Sequence, residues 1–218
     1  MKISISDEVY SLSPRTALGV LSYRAMVESS SQEFLELFEI TVATLSREYS
    51  IEEIAKNPHI ISTRQAYKAL GKSPQEYRNA AEAMLRRIVK GKGLYHINNI
   101  VDVNNLISIT SGYSIGSYDT KQLKGDIELR RAENGSHYAG IGKDNVNIEY
   151  FPTLYDALGA FGNPSSDNRR AMIQLGERDI ITVIYSFDGA DELDYWMEKL
   201  SSYLTNYCGV IKVEKLII

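Results

Sequence analysis

The chain begins with two stretches in which apolar and β-branched residues are frequent. "KISIS" and "TALGVLSYRAMVE" are separated by "SLSPR", and both patterns are typical of strands. The next stretch, "SSSQEFLELFEITVATLSREYS", places its apolar side chains at helical spacing. Ser31 fits the N-cap position, because its hydroxyl can accept a hydrogen bond from an amide of the first turn. The pattern therefore predicts a sheet covered by a helix.

Three further helical segments are predicted in the middle of the chain. "SIEEIAKNP" predicts a short capped turn of helix, and "ISTRQAYKALGKSP" predicts a longer helix that stops at a glycine. "SPQEYRNAAEAMLRRIVKGKG" has the strongest pattern, with Pro74 expected in the first turn and Gly91 at the end.

The segment that follows has an unusual polarity, because residues 93 to 120 contain no Lys, Arg or Glu. At 100° per residue, its helical pattern has an apolar side and a polar side. The polar side is either a network that joins the helix to loops or the wall of a pocket for a polar ligand, and the pattern leaves both open. The apolar side holds Ile100, Val103, Leu106 and Ile107, and the polar side holds Asn98, Asp102 and Asn105.

The rest of the chain predicts mainly strands, followed by one helix and a last strand. The predicted segments are a strand or turn at "GYSIGSYD", a strand at "GDIELRRA", short strands and loops over 137 to 164, a buried strand at "RDIITVIYSFD", a helix at "GADELDYWMEKLSSYLTNYCG" and a strand at "VIKVEKLII". Strands and helices do not alternate regularly. We therefore expect one α+β domain over residues 1 to 218, with a β-sandwich or barrel-like core flanked by helices.

Composition supports a folded chain, since 44% of its 218 residues are hydrophobic and 24% are charged. No apolar leader or apolar span is recognisable, so we expect a cytoplasmic protein without a membrane partner. Cys208 is the only cysteine, which excludes an internal disulfide. We expect it to pack in the core.

Charge is distributed unevenly along the chain. The net charge is −4, which argues against a basic surface over the whole molecule. Residues 77 to 92 nevertheless hold five basic residues and only one acidic residue, Glu82. This basic helix either faces solvent or contacts phosphates. The basic residues are Arg78, Arg86, Arg87, Lys90 and Lys92.

Several kinds of chemistry have no recognisable motif. The chain has no phosphate-binding glycine loop, dinucleotide fingerprint or nucleophile elbow, and its three histidines are far apart. We therefore expect no metal and no cofactor, and no catalytic residue can be assigned. The polar stretch "NPSSDNRRAMI" is either a functional loop or an ordinary turn.

Residues 77 to 132 carry three short motifs, IN-x-x-VD-x-x-N-x-x-S, IG-x-YD and GD-x-x-LR-x-A. Together with the later "DNRRAMI", they resemble free-standing bacterial and archaeal forms of the tRNA-binding and editing domain of the phenylalanyl-tRNA synthetase beta subunit. Residues 1 to 76 resemble the amino-terminal extension of those forms. The matching positions are Ile97, Asn98, Val101, Asp102, Asn105 and Ser108, then Ile115, Gly116, Tyr118 and Asp119, then Gly125, Asp126, Leu129, Arg130 and Ala132.

The resemblance implies a three-layer fold around an unusual β-sandwich. In the synthetase this domain hydrolyses tyrosine that is wrongly attached to phenylalanine tRNA, because a pocket for Phe also admits Tyr. It implies that this chain binds aminoacyl-tRNA and can hydrolyse a mischarged tRNA in trans. The synthetase's other domains are absent from the chain, so we do not expect it to charge tRNA itself.

The resemblance also implies a set of site residues. The basic helix would contact the tRNA backbone, and Asp102, Asp126 and Glu128 are candidates for the carboxylate that selects the ligand. An alternative is a non-catalytic module that binds an amino-acid-like small molecule, which the acidic net charge favours. The expected ligand-binding residues are Asn98, Asp102, Asn105, Ser108, Gly116, Tyr118, Asp119, Asp126 and Arg169.

Overall fold

The computed structural model describes all 218 residues, which form seven α-helices and ten β-strands. The helices are α1 (Asp7–Leu12), α2 (Gln32–Glu48), α3 (Ile51–Lys56), α4 (Pro58–Leu70), α5 (Ala80–Val89), α6 (Asn99–Ser111) and α7 (Leu193–Cys208). The strands are β1 (Ile3–Ile5), β2 (Ala17–Val27), β3 (Ser114–Asp119), β4 (Ile127–Arg131), β5 (His137–Gly140), β6 (Lys143–Asn147), β7 (Pro152–Asp156), β8 (Gly159–Gly162), β9 (Gly176–Ser186) and β10 (Val213–Ile217).

The strands form two four-stranded sheets and one hairpin. The central sheet has the order β10-β2-β9-β3, the outer sheet has the order β1-β4-β7-β8, and β5 pairs with β6. All pairs are antiparallel except β1 with β4. Neither four-stranded sheet closes into a barrel, and β3 is an edge strand of the central sheet.

The central sheet lies between a layer of helices and the outer sheet. In β9, Ile180 and Ile184 belong to the core shared with α2, α5, α6 and α7. The neighbouring residues Ile181, Val183 and Tyr185 belong to the core shared with the outer sheet. Because successive strand residues point to opposite faces, one strand contributes to both cores. The predicted α+β class with a sandwich core is therefore confirmed.

Most helix ends follow the predicted local signals. The Ser31 side chain accepts a hydrogen bond from the amide of Phe34, as an N-cap residue does. Gly71 ends α4 with φ 97°, and Gly209 ends α7 with φ 64°. Both glycines adopt the left-handed conformation that residues with a Cβ rarely take.

The predicted start of α5 is wrong. The helix begins at Ala80, and Pro74 lies in a turn before it. Asn79 caps the helix, because its Oδ1 accepts a 2.8 Å hydrogen bond from the amide of Glu82. The turn also places the Tyr77 ring 3.9 Å from the Lys72 ammonium.

The short helix α1 has no counterpart in the prediction. It is capped by Ser6 and buries only Val9, which is too little to make a periodic pattern. Cys208 is buried, and burial raises its pKa to about 12, in agreement with a packing role. None of the helices combines the length and the apolar character that crossing a bilayer requires.

Candidate functional site

A cavity of about 260 Å³ lies at the edge of β3, and four successive residues of this strand, Ile115 to Tyr118, line it. We refer to it as the site cavity. The first residues of α5 and α6 and the segment before β9 complete its walls. It is lined by Ala80, Ile97, Asn98, Val101, Asn104, Asn105, Ile115, Gly116, Ser117, Tyr118, Ile141, Asp167, Met172 and Ile173.

Helix α6 presents three amide side chains to the site cavity. Asn98 caps the helix, since its Oδ1 accepts a 2.9 Å hydrogen bond from the amide of Val101. Asn104 donates through Nδ2 to Ser117 Oγ at 2.7 Å, but its buried Oδ1 has no partner. Asn105 is half-buried, and its side chain forms no hydrogen bond within the protein. Asn104 and Asn105 therefore have hydrogen-bonding capacity left for a ligand.

A chain of hydroxyl groups continues from Asn104 into the central sheet. Ser117 Oγ lies 2.6 Å from Thr182 Oγ1, which lies 2.8 Å from the Tyr23 hydroxyl. Burial raises the pKa of Tyr23 well above its usual value, so the phenol stays neutral. These hydrogen-bonded hydroxyl groups hold the Asn104 side chain in a fixed orientation at the cavity wall.

A second polar cluster surrounds Asp167. The Tyr118 hydroxyl donates to Asp167 Oδ1 at 2.8 Å and lies 2.8 Å from the Tyr185 hydroxyl. Because Tyr118 uses its proton for Asp167, Tyr185 donates to Tyr118. Burial raises the pKa of Asp167 to about 7, although the hydrogen bond from Tyr118 opposes this shift. The site cavity thus contains a carboxyl group that titrates near neutral pH.

Two glycines make room for the Tyr118 side chain. A Cβ placed on Gly116 or on Gly162 would lie 2.1 Å from the Tyr118 hydroxyl oxygen. Real Cβ atoms do not approach this closely, so both positions require glycine while Tyr118 keeps its place. Gly116 was predicted as a site residue, and its close contact with Tyr118 gives a physical reason for that position in the motif.

Four of the nine predicted ligand-binding residues meet in the site cavity: Asn98, Asn105, Gly116 and Tyr118. Asp102 does not line it. Its Oδ2 accepts from Ser30 Oγ at 2.7 Å, its Oδ1 accepts from the amide of Ile97 at 2.9 Å, and His96 lies 3.4 Å away. Asp102 therefore joins α6 to neighbouring loops.

Three more of the predicted residues also lie outside the cavity lining. Ser108 is buried within α6. Asp119 accepts a 2.9 Å hydrogen bond from the amide of Lys121, and Asp126 accepts a 2.8 Å hydrogen bond from the amide of Lys2. Asp119 thus holds the turn that follows it, and Asp126 holds the backbone at the start of the chain.

The remaining candidates bind other parts of the protein. Arg169 donates to the carbonyl oxygens of Gly140 and Lys143 and to Asp144, which ties it to the β5-β6 hairpin. Glu128 pairs with Arg130 at the surface.

The predicted basic helix contains a buried carboxylate. Glu82 is fully buried and accepts hydrogen bonds from Arg64 at 2.8 and 2.5 Å and from Arg86 at 2.6 Å. Arg78 Nε lies 3.4 Å from the same carboxylate. Burial by itself would raise the pKa of Glu82, but the hydrogen bonds from Arg64 and Arg86 bring it below its usual value. Arg78 and Arg86 thus have a structural role as well.

The end of the basic helix is more exposed. The Arg87 guanidinium lies 4.4 Å from the centre of the Tyr95 ring, and 69% of Tyr95 is exposed. Lys90 and Lys92 are exposed and form no ion pair. Two residues beyond Tyr95, Ile97 lines the site cavity, so the Tyr95 end of this exposed surface lies near the cavity.

Asp167 was not predicted as a ligand-binding residue. The available signal was its place in the polar stretch "NPSSDNRRAMI", which is equally typical of a turn. No group of three or more His, Cys, Asp or Glu side chains is placed to hold a metal ion.

Comparisons with known proteins identify the same part of the chain. The family model of the B3/4 domain matches residues 62 to 190, which is more than half of the chain. A phenylalanine–tRNA ligase beta subunit from Wolbachia sp. subsp. Brugia malayi (strain TRS) is 32% identical over 57 residues, which are 26% of this chain and 7% of the relative.

A solved structure supports the fold over nearly the whole chain. It is an N-terminal fragment of the phenylalanyl-tRNA synthetase beta subunit from Pyrococcus horikoshii, with a TM-score of 0.54 and 9% sequence identity. The match covers 99% of this chain and 53% of that fragment. The chain therefore spans about half of the fragment and a small part of the matched ligase subunit.

Proposed function

Because the chain belongs to the B3/4 domain family, we propose that it binds the aminoacyl end of a tRNA and hydrolyses the ester of a wrongly attached amino acid. One observation carries the proposal. Asn98 and Asn105 from one motif, and Gly116 and Tyr118 from another, meet the carboxyl group of Asp167 in the site cavity. The similarity to a phenylalanine–tRNA ligase beta subunit supports the same class of ligand.

The site cavity suits a single amino acid. Its volume of about 260 Å³ lies near the lower end for ligand pockets. Val101, Ile115 and Ile173 offer an apolar surface to an amino-acid side chain. The free amide of Asn105 and the unpaired Oδ1 of Asn104 would select for polar groups on the ligand.

The carboxyl group of Asp167 supplies the chemistry in this proposal. With a pKa of about 7, it is partly ionised at neutral pH. The carboxylate takes a proton from a water molecule, and the water oxygen attacks the ester carbonyl carbon. The bond between this carbon and the ribose oxygen then breaks, and the ribose oxygen takes the proton from Asp167 to leave as a hydroxyl group. In this proposal the Asn105 amide, which lines the cavity, donates a hydrogen bond to the oxygen that becomes negative.

The surface beside the cavity mouth would hold the tRNA. Lys90 and Lys92 supply positive charge, and the Tyr95 ring supplies a face on which an unpaired base can stack. Because phosphate contacts release bound cations, replacing both lysines by Gln should make tRNA binding less sensitive to salt. This function places the protein with the translation apparatus in the cytoplasm.

The test is a deacylation assay with a panel of mischarged tRNAs, beginning with tyrosyl-tRNA(Phe). Release of the amino acid is followed for the wild type and for Asp167→Asn, which keeps the shape of the side chain but cannot accept the proton. We expect release by the wild type and a loss of at least about 100-fold in the variant. No release above background, together with no shift of labelled tRNA at low salt, would contradict the proposal.

A further inference from the structure

The β5-β6 hairpin ends at the site cavity. It belongs to neither of the four-stranded sheets, and its two-residue turn consists of Ile141 and Gly142. Ile141 lines the site cavity together with Asp167, and no other residue of the hairpin does so. The tip of an element outside both sheets thus forms part of the cavity wall.

The residue at this tip is not one that the turn itself favours. Two-residue hairpin turns favour Asn, Asp and Gly, because these residues tolerate a positive φ. Gly142, with φ 73°, follows this preference, but Ile141 is β-branched and 49% exposed. Its exposed part can be covered by an apolar part of a ligand, which removes apolar surface from water. A contact with the ligand therefore gives a reason for an isoleucine that the turn does not give.

Arg169 fastens both ends of this turn. Its Nε donates to the carbonyl oxygen of Gly140 at 3.2 Å, and one terminal nitrogen donates to the carbonyl oxygen of Lys143 at 3.1 Å. The same nitrogen donates to Asp144 Oδ1 at 2.7 Å, but this ion pair is exposed and contributes little to stability. A planar guanidinium can hold two strands at once, whereas an ammonium group acts as a single point. The contacts of Arg169 therefore fix the position of the tip.

The fastened tip also contacts the main chain at Asp167. The Ile141 amide donates to the Asp167 carbonyl oxygen at 3.1 Å, and Gly140 forms a β-bridge with Asn168. Arg169 lies two positions beyond Asp167, so a displaced tip would lose contacts both at Asp167 and beyond it. The position of the Asp167 carboxyl group thus depends on the hairpin.

The base of the hairpin is anchored without Arg169. The Tyr138 hydroxyl in β5 donates to the carbonyl oxygen of Ser166. Asn147 Oδ1, at the end of β6, accepts a 2.9 Å hydrogen bond from Lys72. Loss of the Arg169 contacts should therefore free the tip without unfolding the hairpin.

We propose that the β5-β6 hairpin is a lid of the site cavity, in which Ile141 contacts the amino-acid side chain of the ligand. Arg169 is the positioning residue that holds Ile141 and Asp167 in place. The contact favours an uncharged side chain, because a charged one would lose its hydration against Ile141. The identity of the ligand rests on the proposed function, but the lid itself does not require hydrolysis.

The first test uses the free protein. Amide hydrogen exchange, followed by nuclear magnetic resonance, measures how often the Ile141 amide leaves the Asp167 carbonyl oxygen. Arg169→Lys keeps the charge but cannot hold both ends of the turn, so exchange at Ile141 should become about tenfold faster. Exchange at Ile181 in the central sheet should not change. The matched control is Arg24→Lys, which alters an exposed, ion-paired arginine of β2 and should leave exchange at Ile141 as in the wild type.

The second test uses a ligand. Tyrosyl-adenosine amide, which is not hydrolysed, should bind about tenfold more weakly to Ile141→Ala, because this change removes apolar contacts. Ile141→Leu keeps the apolar volume and should retain the affinity within about threefold. Both changes lie at an exposed turn, so both variants should fold as the wild type does.

Deacylation of tyrosyl-tRNA(Phe) separates the roles of the two residues. Ile141→Ala should raise KM about tenfold and leave kcat within about twofold, as expected for a contact that is equally strong in the ground state and the transition state. Arg169→Lys should also lower kcat about tenfold, because it releases Asp167 from its place.

Wild-type exchange at Ile141 in the folded Arg169→Lys variant would overturn the role of Arg169. Wild-type affinity for the amide in Ile141→Ala, or no binding of the amide by the wild type, would overturn the contact with the ligand. If the wild type binds the amide but releases no amino acid from tRNA, the proposed function fails and the lid stands. If the wild type deacylates and both variants match it, the lid alone fails.

Discussion

The Tyr118 hydroxyl donates a 2.8 Å hydrogen bond to Asp167 Oδ1, across 49 positions of the chain. This bond favours the ionised carboxylate, so Tyr118→Phe should raise the pKa of Asp167 above its present value of about 7. Nuclear magnetic resonance titration of the Asp167 carboxyl carbon would measure the shift. Tyr185→Phe is the control, because Tyr185 bonds to Tyr118 and not to Asp167. An equal pKa in the wild type and Tyr118→Phe would contradict the assigned direction.

Asp167 should also make stability depend on pH. Its pKa is about 7 in the folded protein and about 3.9 in an unfolded chain, so the folded state binds the proton more tightly. The contribution of Asp167 to stability is therefore fully present below its unfolded-state pKa of about 3.9. It is lost as the pH rises toward the folded-state pKa of about 7. Urea unfolding at pH 5 and pH 8 should show Asp167→Asn gaining stability relative to the wild type at the higher pH. A difference that is the same at both pH values would argue against this.

Gly162→Ala should destabilise the protein by about 1 to 3 kcal/mol through overpacking. The new Cβ would lie 2.1 Å from the Tyr118 hydroxyl oxygen, so the ring would have to move. A double-mutant cycle with Tyr118→Leu, measured by urea unfolding, isolates this contact. The same substitution should cost much less when the ring is absent. An unchanged cost in the Leu background would place the strain elsewhere.

Glu82→Gln should destabilise the protein by about 3 to 5 kcal/mol, because it leaves the partly buried Arg64 and Arg86 without their carboxylate. Glu53→Gln is the matched control, since Glu53 forms an exposed pair with Lys56 and should contribute less than about 1 kcal/mol. Chemical unfolding followed by circular dichroism would measure both changes.

The stabilisation that the Glu82 carboxylate provides should disappear at low pH. Its pKa is lowered in the folded protein, so its stabilisation is present above the unfolded value of about 4.3 and is lost as the pH falls through the folded value. The difference between the wild type and Glu82→Gln should therefore shrink below about pH 4. A difference that persists undiminished at pH 2.5 would show that charge is not its origin.

Substitution of Asn105 should weaken ligand binding with little effect on stability, whereas substitution of Asp102 should lower the stability of the fold. Asn105→Ala removes no hydrogen bond within the protein, so it should change the free energy of unfolding by less than about 0.5 kcal/mol while weakening binding of a tyrosyl-adenosine amide. Asp102→Ala leaves Ser30 and the Ile97 amide unpaired and should cost about 1 to 3 kcal/mol. Thermal unfolding and calorimetric titration measure the two effects. Unchanged ligand binding in Asn105→Ala would remove that residue from the site.

Helical periodicity predicts the buried side of α6 correctly, because a local pattern is enough to define it. Ile100, Val103, Leu106 and Ile107 are all buried. On the polar side, tertiary packing and not periodicity decides which residues face the cavity and which contact neighbouring loops. Asp102 lies about 40° to one side of Asn98, where Ser30 and His96 contact it, and the site cavity opens on the other side.

Asp167 could not be assigned to the site from the sequence, because its role depends on contacts far along the chain. Its partner Tyr118 lies on another strand, and two glycines on different sheets make room for the contact. The start of α5 was misplaced for a similar reason. Pro74 is compatible with a first helical turn, but Tyr77 packs against Lys72 and Phe151 and keeps the chain out of the helix.

The position of β3 at a sheet edge has a consequence for any attempt to shorten the protein. A fragment of residues 77 to 132 would contain every residue of the three motifs, but it would lack β9, on which β3 is aligned, and the Asp167 side of the cavity. Bringing β3, β9 and the segment around Asp167 together requires most of the chain to be ordered first. The recognisable motifs are thus not an autonomous folding unit, and ligand affinity should report the cooperative folding of the whole domain.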